Sequence, residues 1–164
     1  MDDQRRRETP YIDALDRAIL RALQSDARMS NREVAATVGV SPTTALDRTR
    51  SLRERGVITR STLQVDLGAI GRGVQALIAV RIRPPSREVI EAFRDWVSGL
   101  DQTLGVFVTA GNEDFIIHVA VRDNDDLYAF VIDRLTERRE VADVRTSVVY
   151  QHLQNHAIEP TLPR

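Results

Sequence analysis

The chain has 164 residues, of which 42% are hydrophobic, so its composition allows a packed core and argues against wholesale disorder. It contains no cysteine, which excludes disulfides and thiolate metal sites. The net charge of −1 is unevenly spread, because residues 1–62 hold 12 Arg and 9 acidic residues, whereas residues 63–164 hold 11 Arg and 15 acidic residues. An excess of positive charge in the N-terminal part suits a surface that faces nucleic acid.

Membrane and export signals are not apparent in the sequence. No apolar run approaches the length of a transmembrane helix, and the charged start MDDQRRRETP lacks the apolar core of a signal peptide. We therefore expect a soluble cytoplasmic protein.

Two helices are predicted in the first 40 residues, and both have recognisable caps. Residues 1–11 are polar and are expected to be frayed, and the first helix is expected to begin after Asp13 as its N-cap. Ser30, with Glu33 three residues later, forms the capping box of a second helix. Gly39 is expected to end that helix.

A third helix follows after a very short turn. Ser41 is its predicted N-cap, Pro42 occupies the preferred first position, and Gly56 ends it. Its predicted inner stripe consists of Ala45, Thr49 and Leu52. Two short helices joined by a turn with glycine are typical of a helix-turn-helix, which lays its second helix into the major groove of DNA.

The outward positions of the third helix are the candidates for DNA contact. Arg48 is predicted to read a base, because arginine with guanine is the commonest specific pair. Arg50, Arg53 and Arg55 are predicted to contact phosphates. The predicted DNA-binding residues are Arg28, Arg32, Ser41, Thr43, Thr44, Asp47, Arg48, Arg50, Ser51 and Arg53. The alternative interpretation is a solvated three-helix bundle whose arginines serve solubility.

The second half of the chain changes to a mixed pattern of strands and helices. Alternating apolar residues from Val74 to Ile82 predict a strand that ends before Pro84. Further strands are predicted near 104–108, 115–121 and 144–150, with helices near 89–97 and 127–135. The order β-α-β-β-α-β predicts a ferredoxin-like domain. The expected domains are therefore 1–60 for DNA binding, 61–73 as an extended linker, and 74–164 for oligomerisation and effector binding.

The predicted sheet has a second face that is also partly apolar. The residues expected there are Leu77, Ala79, Phe107, Ile116, Ala120 and Val149. Two helices cover only one face of a four-stranded sheet, so a second copy of the chain is expected to cover the other. The alternative is a sheet face that is only mildly apolar.

Three histidines and one turn complete the set of candidate residues. Gly111 and Asn112 predict a turn between two strands, which is structural when considered alone. His118 is expected on the second sheet face, as an interface residue or as a histidine with a hydrogen-bond partner of its own, and not as a catalytic residue. His152 and His156 stand four residues apart, but no third ligand lies nearby, so no metal site is predicted.

With these features, the chain resembles the Lrp/AsnC family, the leucine-responsive and asparagine-responsive bacterial transcription regulators. The segments that carry the resemblance are ALDRAILRALQSDARMS (14–30), VGVSPTTALDR (38–48), LRERGVI (52–58), GNEDF (111–115) and VRTSVV (144–149). The resemblance implies an α+β chain with an N-terminal winged-type helix-turn-helix and a C-terminal ferredoxin-like effector domain. It also implies binding to double-stranded promoter DNA on the bacterial nucleoid, dimers that assemble into octamers, and control by amino acids.

The resemblance implies a function for the Gly111 turn besides its structural role. The family has a G-x-x-D motif at this turn, near the contact between dimers where effectors bind, and Gly111 and Asp114 match it. Asp114 would pair with an α-ammonium group while backbone N–H groups hold the α-carboxylate. The predicted effector-binding residues are Thr109, Gly111, Asn112, Glu113 and Asp114. One departure concerns the DNA-binding helix, because Asp47 stands where many members carry Lys or Arg.

The sequence therefore predicts a sequence-specific transcriptional regulator that responds to an amino-acid-like effector. No enzymatic activity and no cofactor are predicted. One alternative is an architectural protein of the nucleoid that binds DNA without a ligand. A second alternative is an enzyme similar to the sirohaem decarboxylases, which look similar to this family across both domains.

Overall fold

The computed structural model describes residues 11–155 and 157–161, which form two units. Of these, unit 1 contains residues 11–64, 153–155 and 157–161, and unit 2 runs from Val65 to His152. The sequence assigns 74–164 to one domain, whereas the described residues beyond His152 pack with unit 1. His156 and the N-terminal residues 1–10, for which fraying is expected, lie outside the described residues.

Unit 1 contains three short helices. They are α1 (Ala14–Ser25), α2 (Asn31–Val38) and α3 (Pro42–Glu54). Asp13, Ser30 and Ser41 each accept a hydrogen bond from the backbone N–H three residues later, as expected of N-caps. Gly39 ends α2 in the left-handed conformation at φ +75°, which a residue with a side chain rarely adopts. The predicted helix ends are therefore confirmed at these caps.

Apolar side chains from all three helices form the core of unit 1. Its buried members are Ile19, Val34, Ala35, Ala45 and Leu52. Residues 59–66, which connect α3 to unit 2, have no regular secondary structure.

Unit 2 is a four-stranded antiparallel sheet with two helical segments. Its elements are β1 (Val74–Ile82), α4 (Arg87–Ser98), β2 (Thr103–Val108), β3 (Phe115–Val121), α5 (Asn124–Ala129), a π-helical continuation (Phe130–Thr136) and β4 (Val141–Val149). The strand order is β2-β3-β1-β4, with β1 and β3 paired antiparallel from Val74↔Val121 to Val80↔Phe115. The predicted β-α-β-β-α-β order is thus confirmed.

The two faces of the sheet differ in burial. Ile78, Val80 and Ile117 lie beneath the helices and are fully buried. On the opposite face, Leu77 is 39% exposed and Phe107 is 59% exposed.

Ala120 is an exception to the expected outer face, because it is fully buried. Its N–H donates to the Gln102 carbonyl at 2.9 Å, which joins it to the segment that leads into β2. Among the described residues, no helix is long and apolar enough to cross a membrane.

Candidate DNA interface and candidate effector turn

The N-terminal half of α3 presents small polar groups to solvent. Ser41 Oγ accepts from the Thr44 N–H at 3.1 Å and lies 2.8 Å from Thr44 Oγ1. Thr43, Thr44 and Asp47 are exposed. The first N–H groups of a helix lack intrahelical acceptors and carry a partial positive charge, so this end favours an anionic partner such as phosphate.

Arg48, predicted to read a base, is held within unit 1. Its Nη1 donates to Asp13 Oδ2 at 2.8 Å and lies 3.4 Å from Asp16 Oδ1. Arg55 is anchored in the same place, with Nη2 at 2.8 Å from Asp16 Oδ2 and Nη1 at 2.8 Å from the Tyr11 carbonyl. Both arginines therefore fasten α3 to α1 and to the residues just before it.

Two acids of the α1 region complete this cluster, and neither was predicted to bind an arginine. The Asp16 side chain is only 2% exposed, yet its carboxylate faces both arginines. The pKa of Asp13 lies below its usual range, first because Asp13 accepts the Asp16 N–H and also because Arg48 is close. A sequence signal existed, since Asp16 lies three residues before the buried Ile19 on the inward side of α1.

The remaining predicted DNA contacts lie on exposed parts of unit 1. Arg50 pairs with Glu54 one turn later at 2.8 Å, and both side chains are mostly exposed. Arg28, Arg32 and Arg53 are exposed, and Ser51 is half-buried. Exposed pairs such as Arg50–Glu54 are weak, so this guanidinium can exchange its partner for a phosphate at small cost.

The five residues predicted to bind an effector lie together in the β2–β3 hairpin turn. Gly111 has φ +146°, a conformation open to glycine and strained for other residues. Thr109 Oγ1 donates to the Glu113 carbonyl at 2.7 Å, and the Thr109 N–H donates to the Asp114 carbonyl at 2.9 Å. These bonds close the turn.

Neighbouring strands fix the turn from outside. Arg81 of β1 donates from Nε and Nη2 to the Asn112 carbonyl at 2.8 and 2.6 Å. Arg145 of β4 forms an ion pair with Glu113. Since β1 and β4 both contribute, the turn is held to the sheet, which pre-organises its polar groups.

Asp114 has a structural partner as well as a free oxygen. Its Oδ2 accepts the Ile82 N–H at 2.7 Å and lies 3.9 Å from Arg83 Nη1. Both contacts of this carboxylate within the described part of the chain involve Oδ2. Oδ1 is therefore open to a cationic group without loss of the bond to β1.

A separate cavity of about 700 Å³ lies elsewhere in unit 2. It is lined by residues that include Arg72, Gln102, Arg122, Asp126, Phe130 and Arg134, and by none of the five predicted effector-binding residues. Its size falls within the usual range for small-molecule sites. Unit 2 thus contains a cavity of ligand size that is separate from the predicted effector turn.

Family models match both parts of the chain. The model described as the AsnC-type helix-turn-helix domain matches residues 12–53. The model described as the Lrp/AsnC ligand binding domain matches residues 75–157. The first covers the three helices, and the second covers the sheet together with part of the C-terminal segment.

Individual proteins match over most of their length. The transcriptional regulator AldR of Mycolicibacterium smegmatis is 40% identical, covering 87% of this chain and 84% of the relative. The leucine-responsive regulatory protein of Rhizobium meliloti is 30% identical over 88% of this chain and 92% of the relative. A solved structure of the regulator NMB0573 of Neisseria meningitidis in complex with L-Met is 27% identical with a TM-score of 0.82, covering 93% of this chain and 97% of that one.

Proposed function

Since the chain belongs to the Lrp/AsnC family of transcriptional regulators, we propose that it binds promoter DNA as a homodimer and that an amino-acid-like effector modulates this binding. The relatives are transcriptional regulators by name, so the chain is a DNA-binding regulator with a ligand-binding domain and not an enzyme. The enzyme alternative is therefore set aside. We place its site of action on the bacterial nucleoid.

The proposed DNA surface is the exposed half of α3. Ser41, Thr43 and Thr44 offer hydroxyl groups at the positive end of the helix, and Asp47 stands one turn further along. Hydroxyl groups and helix N-termini contact phosphates and base edges in DNA complexes. Asp47 repels phosphate but accepts from a cytosine amino group, which would make this position selective.

The arginines divide into two proposed roles. One group contacts phosphates and consists of the exposed residues Arg28, Arg32, Arg50 and Arg53, to which the half-buried Ser51 of α3 is added. Arg48 remains in the proposed interface, but its bonds to Asp13 and Asp16 favour a positioning role over base reading. The observation that carries the proposal is this exposed polar and basic surface on α3, a helix that Arg48 holds to the α1 region.

A second copy is the proposed cover of the outer sheet face. Leu77 and Phe107 are large apolar side chains that are 39% and 59% exposed, and Ile116 and Val149 lie on the same face. A dimer presents two recognition helices and so requires paired half-sites about one helical turn apart. Further assembly of dimers into octamers is proposed through the hairpin turn.

The proposed effector site is the turn with Thr109, Gly111, Asn112, Glu113 and Asp114. Its support is the free Oδ1 of Asp114 on a turn that Arg81 and Arg145 hold in place. An amino acid is the proposed class because one relative is leucine-responsive by name and one structural neighbour contains L-Met. The ligand acts only if it binds the DNA-competent and DNA-incompetent states with different affinities.

Calorimetry with a panel of L-amino acids tests the site. Asp114→Asn removes the charge but keeps an oxygen for the Ile82 N–H, so we expect a folded protein whose amino-acid affinity falls at least about tenfold, as for a lost charged hydrogen bond. Arg134→Ala in the separate cavity is the matched control and should bind normally. The reverse result would move the effector to that cavity. No binding by the unaltered protein, with promoter and random DNA bound alike, would favour the architectural alternative.

A further inference from the structure

The C-terminal segment occupies a groove on unit 1. Residues 157–161 follow the last strand of unit 2 at some distance in the chain, yet they belong to unit 1. A cavity of about 400 Å³ remains in this groove beside the segment, and its apolar lining includes Leu20 and Leu23 of α1 and Val57 and Ile58 after α3. The tail residues Ile158, Glu159 and Pro160 also line it.

One side chain of α1 binds both backbone polar groups, the N–H and the carbonyl, of a single tail residue. Gln24 Oε1 accepts the Ile158 N–H at 2.7 Å, and Gln24 Nε2 donates to the Ile158 carbonyl at 3.2 Å. A carboxamide satisfies both backbone groups of one residue, as a neighbouring strand would. This arrangement recognises an extended peptide rather than a particular side chain.

The next tail residue adds a charge contact that fixes the register. Arg21 donates from Nε and Nη2 to Glu159 Oε1 at 2.8 and 2.5 Å. Both side chains are more than half exposed, so the pair contributes little energy. Its effect is specificity, because a shift of the tail by one residue would separate the two charges. Pro160 favours an extended backbone at Glu159, which suits the groove.

The docked tail lies away from the start of α3. Thr43, Thr44 and Asp47 are absent from the lining of the groove, whereas Arg53 at the far end of α3 is part of it. The tail therefore contacts the side of unit 1 formed by α1 and the residues after α3. The hydroxyl groups at the start of α3 therefore stay accessible to DNA when the tail is docked, and Arg53 is the proposed phosphate contact that borders the groove.

We propose that this groove is a peptide-docking surface whose occupant is the chain's own C-terminal segment, and that docking forms a second tether between the two units besides the direct chain connection after Gln64. A tether that closes reversibly raises the effective concentration of one unit near the other. In a dimer it would narrow the range of positions open to the two recognition helices. Binding to paired half-sites then depends on docking, whereas binding to a single half-site does not. The dependence of paired half-site binding on docking rests on the proposed function.

Hydrogen exchange of the Ile158 amide in the full-length protein tests the docking itself. Gln24→Ala removes both backbone bonds and should accelerate exchange at Ile158 about tenfold, as for two modest hydrogen bonds. Arg21→Glu and Glu159→Arg should each accelerate it less, and the double variant should restore most of the protection. Arg17→Glu, one turn away on α1 and outside the groove, is the matched control. An Ile158 amide that is unprotected in the unaltered protein, or a double variant no slower than the single ones, would overturn the proposal.

DNA binding tests the tether. We expect Gln24→Ala, and a chain that stops after His152, to bind paired half-sites about tenfold more weakly at unchanged affinity for a single half-site, because only effective concentration is lost. Equal affinity for paired half-sites would overturn the tether while exchange data still decide the docking. A protein that binds no DNA at all would contradict the proposed function instead, so the two failures are distinguishable.

Discussion

The carboxylate of Asp16 accepts a hydrogen bond from Arg55 at 2.8 Å although the Asp16 side chain is only 2% exposed. Arg48 reaches the other oxygen of the same carboxylate at 3.4 Å and pairs with Asp13 at 2.8 Å. Two acids at the start of the domain thus meet Arg48 of α3 and Arg55, the residue that caps the end of α3. The helix proposed to enter DNA is fixed to α1 by charge as well as by apolar packing.

Asp16→Asn should destabilise unit 1. The loss of one charge leaves two arginines without their buried partner, which costs about 3–5 kcal/mol for fully buried pairs. Because these arginines are 43% and 32% exposed, solvent screens them, and we expect about 1–3 kcal/mol. Denaturant dependence of hydrogen exchange in α1–α3 measures it. Glu54→Gln, which breaks the exposed pair with Arg50, is the control and should cost less than about 0.5 kcal/mol.

Arg48→Ala should weaken binding to all DNA sequences by a similar factor. Its guanidinium positions α3, so its loss disturbs the whole surface without changing the preference at one base pair. Competition binding with a set of half-site variants measures this. If Arg48 reads guanine instead, discrimination at a single position would fall by about 1–3 kcal/mol, and the positioning role would be wrong.

Arg50→Gln should reduce the salt dependence of DNA binding. Each phosphate contact releases counterions and contributes about 0.9 to the slope of log affinity against log salt. We therefore expect the slope for each subunit to become shallower by about one, measured by titration at several salt concentrations. Arg87→Gln is the matched control, since Arg87 forms the same type of exposed pair with Glu91 in unit 2. An unchanged slope for Arg50→Gln would remove this residue from the interface.

Thr49→Val should stabilise unit 1. The Thr49 side chain is 2% exposed, and its hydroxyl has no hydrogen-bond partner within the described part of the chain. A buried hydroxyl without a partner costs free energy, which an apolar group of similar shape avoids, so we expect a gain of about 1 kcal/mol. Thermal unfolding followed by helical circular dichroism measures the gain. The exposed Thr43→Val should give none, and a loss at Thr49 would indicate a partner for the hydroxyl.

His118 should titrate below its usual range. Partial burial lowers the pKa of His118 first, and the nearby His152 lowers it further; the two rings are 5.6 Å apart. Since the folded pKa is depressed, the stability that neutral His118 contributes is complete above the unfolded pKa of about 6.5 and is lost as the pH falls through the folded pKa. NMR titration should show the lowered pKa of His118, and in His152→Ala this pKa should rise towards its ordinary value. A pKa at or above the ordinary value would contradict the geometry.

The fold was largely predictable because its signals are local. Caps at Asp13, Ser30 and Ser41 define helix starts through hydrogen bonds that span only three residues. Apolar alternation from Val74 to Ile82 defines β1 in the same local way. The π-helical continuation of α5 was missed, since an α-helix and a π-helix share the same apolar pattern over so short a segment.

The sequence by itself determined the helix-turn-helix, the order of strands and helices, and the residues that lie on the exposed half of α3. Only the tertiary structure decided the partners of charged groups. The bonds from Arg48 to Asp13, from Asp114 to the Ile82 N–H, and from Gln24 to Ile158 join residues 32 to 134 positions apart. Pairings at such separations depend on how distant segments pack, which no local periodicity or cap encodes.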